Sequence, residues 1–151
     1  MFGFRSDGRK IKSIPPIFKI IPQVMRTRAD SQVYYSYDMP ITGMDEYIAK
    51  KAEEGIKISY MNIIYAAMVR LIAQRPQLNR FVMNCQTYAR KDIEISLAIK
   101  KNLTDEGEET TLKIPFKGTE NIFEVKEILD KTIEENKDTN ASNDTDILAT
   151  A

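Results

Sequence analysis

The sequence predicts an α+β fold, with helices packed on one face of a mixed β-sheet. Two kinds of run point to it: apolar residues recur at helical spacing in four segments and at alternate positions in several shorter ones. A third observation is the block Lys57 to Phe81 (KISYMNIIYAAMVRLIAQRPQLNRF), the longest apolar stretch in the chain. With 151 residues the chain is long enough for one domain with a real core.

Residues 5–13 are basic and polar and read as an extended arm. Ser13-Ile14-Pro15-Pro16 looks like a helix start, because proline suits the first helical turn. Ile17, Ile20, Ile21 and Val24 give that helix one apolar stripe, and Pro22 within it should kink or split the helix. From Gln32 to Met39 the chain alternates, with Val33, Tyr35, Tyr37 and Met39 on one face, so a strand is expected. Its tyrosines read as cross-sheet packing or as a stacking surface. Gly43 to Glu54 reads as an exposed helix with Met44, Tyr47 and Ile48 inward, closed by Gly55.

The central helix follows. Met61, Ile64, Tyr65, Met68, Leu71 and Ile72 share one face, and Ile63, Ala66, Ala67 and Val69 fill most of the other. A helix apolar nearly all round is usually buried, so this one is expected to be the most buried element. Ser59 is a plausible N-cap, and Pro76 should stop the helix at Arg75. At about 15 residues it is too short to span a bilayer. Phe81-Val82-Met83 and Thr87-Tyr88-Ala89 read as short strands around Asn84-Cys85. Ile93 to Lys100 and Thr110 to Phe116 both alternate and should pair as a hairpin across the acidic turn around Gly107. Asn121 and Glu124 form a capping-box-like start to an amphipathic helix carrying Ile122, Val125, Ile128, Leu129 and Ile133. Residues 1–136 therefore form a single domain. The polar segment 137–151 reads as a disordered tail, or as the capped start of a further helix at Asp144 to Leu148.

Formal net charge is zero, with 22 basic and 22 acidic residues, so no global field draws in nucleic acid or an anionic membrane. The charges are unevenly placed. Residues 1–30 hold Arg5, Arg9, Lys10, Lys12, Lys19, Arg26 and Arg28 against Asp7 and Asp30. This basic arm reads as a solvated face, or as a surface that meets a phosphorylated cofactor or an acidic partner. One cysteine, Cys85, excludes an internal disulfide and suits a reducing cytoplasm, where the chain is expected to reside. No signal peptide or membrane span is legible.

Histidine is absent. The usual general base near neutral pH and the commonest ligand of catalytic zinc are thereby removed. Cys85 is the sole thiol, flanked by neutral Asn84 and Gln86, and reads as an ordinary loop or core residue. The carboxylates Glu53-Glu54 and Glu106, Glu108 and Glu109 lack the ligand spacing of a metal loop, and no glycine-rich phosphate loop follows a strand.

Arg75, Pro76, Leu78 and Asn79 make the most specific signal. A proline-x-leucine-asparagine turn directly after a buried helix, leading into an apolar strand, resembles the turn after the central helix in the acyltransferase domain of 2-oxoacid dehydrogenase complexes. The chloramphenicol acetyltransferases share that fold. Gly55 to Ser59 before the helix and Ile93 to Ile99 after it are similar to the family's flanking segments, so the resemblance spans most of residues 5–137. It implies the N-terminal part of that fold, with the C-terminal part missing.

In the family an acyl group passes between coenzyme A and a thiol or hydroxyl acceptor, with a histidine of a His-x-x-x-Asp-Gly motif as base. No part of this sequence matches that motif. The resemblance therefore implies coenzyme A and a dihydrolipoyl-type acceptor as substrates, and a homotrimer. It carries over no catalytic residue, no assignable coenzyme A contact and no metal site. Arg75, Pro76, Leu78 and Asn79 are expected to act structurally. The chain alone is expected to be inactive, either as part of an acyltransferase or as an oligomerisation module of the same fold.

Overall fold

The computed structural model describes residues 5–100 and 109–136. The acidic turn around Gly107 and the polar segment 137–151 lie outside them. In chain order the elements are β1 (Gly8–Lys10), α1 (Pro16–Val24), α2 (Thr42–Glu53), α3 (Tyr60–Gln74), a 3-10 turn (Pro76–Leu78), β2 (Arg80–Met83), β3 (Gln86–Arg90), β4 (Ile93–Lys100), β5 (Glu109–Phe116) and α4 (Ile122–Asn136). The α+β class holds. The single mixed sheet does not: there are two small antiparallel sheets, one of order β1-β3-β2 and one made by β4 and β5.

The core is built on the β4–β5 hairpin, whose register sets Ile93 opposite Phe116, Ile95 opposite Ile114 and Leu97 opposite Leu112. Period-two alternation puts these six on one face, as their spacing in the sequence requires. Against that face pack Tyr65 and Val69 from α3 and Val125 and Leu129 from α4. Ile114, Val69, Val125 and Leu129 are the large side chains most fully withdrawn from water, each worth about 1.5–3 kcal/mol of transfer free energy. Glu94, Ser96 and Lys113 on the opposite face are exposed, as is common for an antiparallel pair with one solvated side.

Capping follows the sequence closely. Asn62 donates its backbone N–H to Ser59 Oγ at 3.3 Å, and its side-chain oxygen accepts the Ser59 backbone N–H at 2.8 Å. The buried amide that interrupts the apolar run of α3 is thus half of its capping box. At the start of α4, Glu124 and Asn121 exchange the same pair of bonds, at 3.1 and 2.7 Å. Gly55, at φ +80°, closes α2. The Ile56 N–H reaches back to Lys51 O and the Gly55 N–H to Ala52 O, the two bonds of a Schellman cap.

Three further expectations are corrected. Residues 32–39 form no strand. Alternation only specifies which face a strand would bury, and no described strand lends this segment an edge to bond with, so its side chains stay in water: Val33 is 91% exposed and Tyr34 88%. The basic arm is extended where Gly8 to Lys10 forms a strand, and it pairs there with Tyr88 to Arg90. Pro22 does not split α1. The helix runs unbroken to Val24 and Pro22 is its one buried residue, while Ile17, Ile20 and Val24 are exposed.

Finally, α3 is not buried on the face carrying Met68 and Leu71. It buries Asn62, Tyr65 and Val69, and leaves Met61, Ile64, Met68 and Leu71 between 39% and 50% exposed. One hairpin and one helix supply a single packing face, so a helix apolar on all sides keeps half of itself in solvent.

Candidate functional site

Two clefts, each of about 490 Å³, stand out among the described residues. The first is built by the turn after α3. Pro76 ends the helix at Gln74 and starts the 3-10 turn. Asn79, the residue capping that turn, then donates its side-chain amide to Asp92 O at 2.9 Å, while its own carbonyl accepts the Arg90 N–H at 3.0 Å. The turn is thereby fastened to the β3–β4 connection.

Pro76, Asn79, Arg90, Asp92, Lys117 and Glu120 line the cleft over an apolar floor that includes Ile72 and Phe116. Of the expected motif residues, Pro76 and Asn79 reach this cleft, whereas Leu78 is exposed and Arg75 only closes the helix. Burial pushes the Glu120 carboxyl up, but backbone N–H groups, including those of Lys117 at 2.5 Å and Gly118 at 2.7 Å, outweigh it and hold the carboxyl below its usual range. The lining contains no hydroxyl, thiol or imidazole. The cleft is of mixed charge over an apolar floor.

The second cleft lies at the β2–β3 turn. Asn84 and Cys85 both take positive φ, 49° and 56°, as a two-residue hairpin turn of the type that follows strand twist requires. Cys85 is therefore an exposed loop thiol. Its sequence neighbours are neutral, but the fold brings Lys10, Lys12 and Lys19 to the same cleft. Sequence reading missed that grouping. The available signal was the basic arm itself, and what was lacking was the pairing of β1 with β3 that places it.

A third cluster braces the three-stranded sheet. Phe81 stacks on Tyr88 with ring centroids 5.3 Å apart. The Arg5 and Arg90 guanidinium groups lie 5.2 and 4.9 Å from the Phe81 centroid. Arg5 also grips Asp7 through two bonds, at 2.6 and 2.7 Å, which holds the Asp7 carboxyl below its usual range.

Glu54 of the Glu53-Glu54 pair bonds Lys51 at 2.6 Å, and no group of metal-binding side chains occurs among the described residues. No described helix is long and apolar enough to cross a membrane. The chain matches no protein-family model, no curated protein and no solved structure.

Proposed function

We propose that this chain is an assembly module: the non-catalytic N-terminal part of a coenzyme A-dependent acyltransferase-like unit, which associates with further copies of itself through the outer face of α3. The observation that carries the reading is that face. Met61, Ile64, Met68 and Leu71 form a continuous apolar stripe, with Tyr60 at its head, and all are exposed. Val33, Tyr35, Tyr37 and Met39 add a second unpartnered apolar segment. Contiguous apolar surface of this kind is rare on a protein that works alone. A second copy is the favoured occupant because the formal net charge is zero, so like chains meet without electrostatic repulsion.

The test is sedimentation velocity over a dilution series, on the native chain and on Met68→Asp and Leu71→Asp. Self-association that both aspartates abolish, with circular dichroism unchanged, supports the reading. A native chain that stays monomeric at high concentration overturns it.

A second reading keeps the enzyme. The turn residues Pro76 and Asn79 border the apolar-floored cleft, which suits a part that completes an acyl-transfer site whose base is supplied by other protein. With dihydrolipoyl and small-alcohol acceptors, the isolated chain is expected to give no acyl transfer from acyl-coenzyme A above background. A general base typically contributes about 10²–10⁴-fold, and histidine is absent. Turnover that scales with protein and survives Cys85→Ala would defeat that expectation.

A further inference from the structure

We propose that the cleft between β1, α1 and the β2–β3 turn is an anion site for a small molecule carrying a diphosphate. The inference is independent of the assembly reading. Three elements converge on the cleft. Lys10 ends β1, and the Ile11 N–H bonds Thr87 O at 3.0 Å, so the ladder with β3 carries on past the strand. Lys10 and Lys12, two residues apart in this extended chain, point to the same side. Lys19 and Gln23 stand one turn apart on α1 and so share a helix face. All four line the cleft, together with Cys85 and Gln86 from the hairpin turn.

The lining holds three cations and no carboxylate. None of the three lysines forms an ion pair or side-chain hydrogen bond with another described residue. Like charges gathered without a counter-charge repel one another, and a bound anion relieves that repulsion. A diphosphate carries a charge close to that of three lysines with opposite sign. Lysine ammonium groups suit phosphate as point charges. The amides of Gln23 and Gln86 add hydrogen-bonding capacity for the remainder of the ligand, and the volume lies within the range of small-molecule sites. The grouping favours a compact ligand over an acidic peptide, because the three cations line one cleft of small-molecule size.

Cys85 provides a reporter within the site. The rate of Cys85 alkylation by iodoacetamide, an uncharged reagent, is measured on the full chain while inorganic pyrophosphate or adenosine diphosphate is titrated in. Both are expected to slow alkylation saturably, and the effect should fade as salt is raised, because screening weakens exposed charge pairs. Lys10→Gln, Lys12→Gln and Lys19→Gln should each weaken the titration about fivefold, the worth of one close charge pair in water. Lys50→Gln, on α2 and outside the cleft lining, should leave it unchanged. A tighter titration with adenosine diphosphate than with pyrophosphate assigns part of the recognition to the nucleoside. Equal titrations assign all of it to the diphosphate. Alkylation that neither compound slows, or that an oligoglutamate peptide slows at lower concentration than pyrophosphate, overturns the proposal without any need of the variants.

Discussion

The side-chain amide of Asn79 donates a hydrogen bond to the backbone carbonyl of Asp92 at 2.9 Å, while the Asn79 carbonyl accepts the Arg90 N–H at 3.0 Å. One residue thus ties the end of the α3 turn to the connection between the two sheets. Asn79→Ala removes the first bond and leaves the second. A loss of about 0.5–1.5 kcal/mol is expected from urea unfolding. An unchanged midpoint would show that water replaces the amide at no cost.

The two faces of α3 should respond in opposite ways to the same charge. Val69 is 1% exposed and packs in the core, so Val69→Asp would bury an unpaired carboxylate and should unfold the chain. Met68→Asp, one position away, places its charge on the exposed stripe and should leave the monomer folded. Circular dichroism melts of the two variants decide the matter, and equal loss of the transition in both would refute the assignment of faces.

Leu129 of α4 is 1% exposed, against the β4–β5 hairpin. Leu129→Ala should cost about 2–5 kcal/mol, through lost transfer free energy and the cavity left behind. The same truncation at Phe123, which is exposed on the same helix, should cost far less. A guanidinium chloride titration of both variants checks the ranking.

Gly118 takes φ +88°, and a Cβ there would lie 3.1 Å from Ala73 Cβ and from Ile93 Cδ1. Gly118→Ala therefore meets both a left-handed backbone penalty, about 1–2 kcal/mol, and crowding between α3 and β4. A fall in melting temperature is expected. Gly43→Ala is the control, since an added Cβ there meets open space and alanine favours the helix.

Acid and alkali should act through different groups. The Asp7 carboxyl lies below its ordinary value because Arg5 hydrogen-bonds to it. Its stabilising contribution is full above the unfolded-chain value near 4 and is lost as pH falls through the folded value. The pair is about a third exposed, so solvent screens it and the effect is small. Asp7→Asn should flatten the acid limb of stability against pH. The Tyr65 hydroxyl is pushed up by burial, so its contribution is full below the unfolded value near 10 and is lost as pH rises through the folded value. Tyr65→Phe should remove that alkaline loss. Denaturant midpoints followed from about pH 3 to about pH 11 test both limbs, and slopes identical to the native chain would refute the assignments.

Helix ends were legible in the order of the residues alone. Ser59 and Asn62, Asn121 and Glu124, Gly55 and Pro76 start and stop helices through bonds and steric limits that span at most five residues, so composition and spacing suffice to place them. The hairpin of β4 and β5 was legible for the same reason, since two alternating runs near one another in the chain pair so that both apolar sets share a face, and a one-residue slip would turn one set to solvent. Whatever depends on a distant partner was fixed only by the packing of the whole chain. Residues 32–39 have the pattern of a strand but pair with no described strand. Gly8 to Lys10 has little strand pattern, yet forms one because β3 offers an edge. Met68 and Val69 are equally apolar neighbours, and only the hairpin's position sends one to the core and the other to solvent. The lysine cleft was hidden for the same physical reason. Lys10 and Cys85 lie 75 positions apart, and they meet only through backbone hydrogen bonds between strands, which no side-chain pattern records.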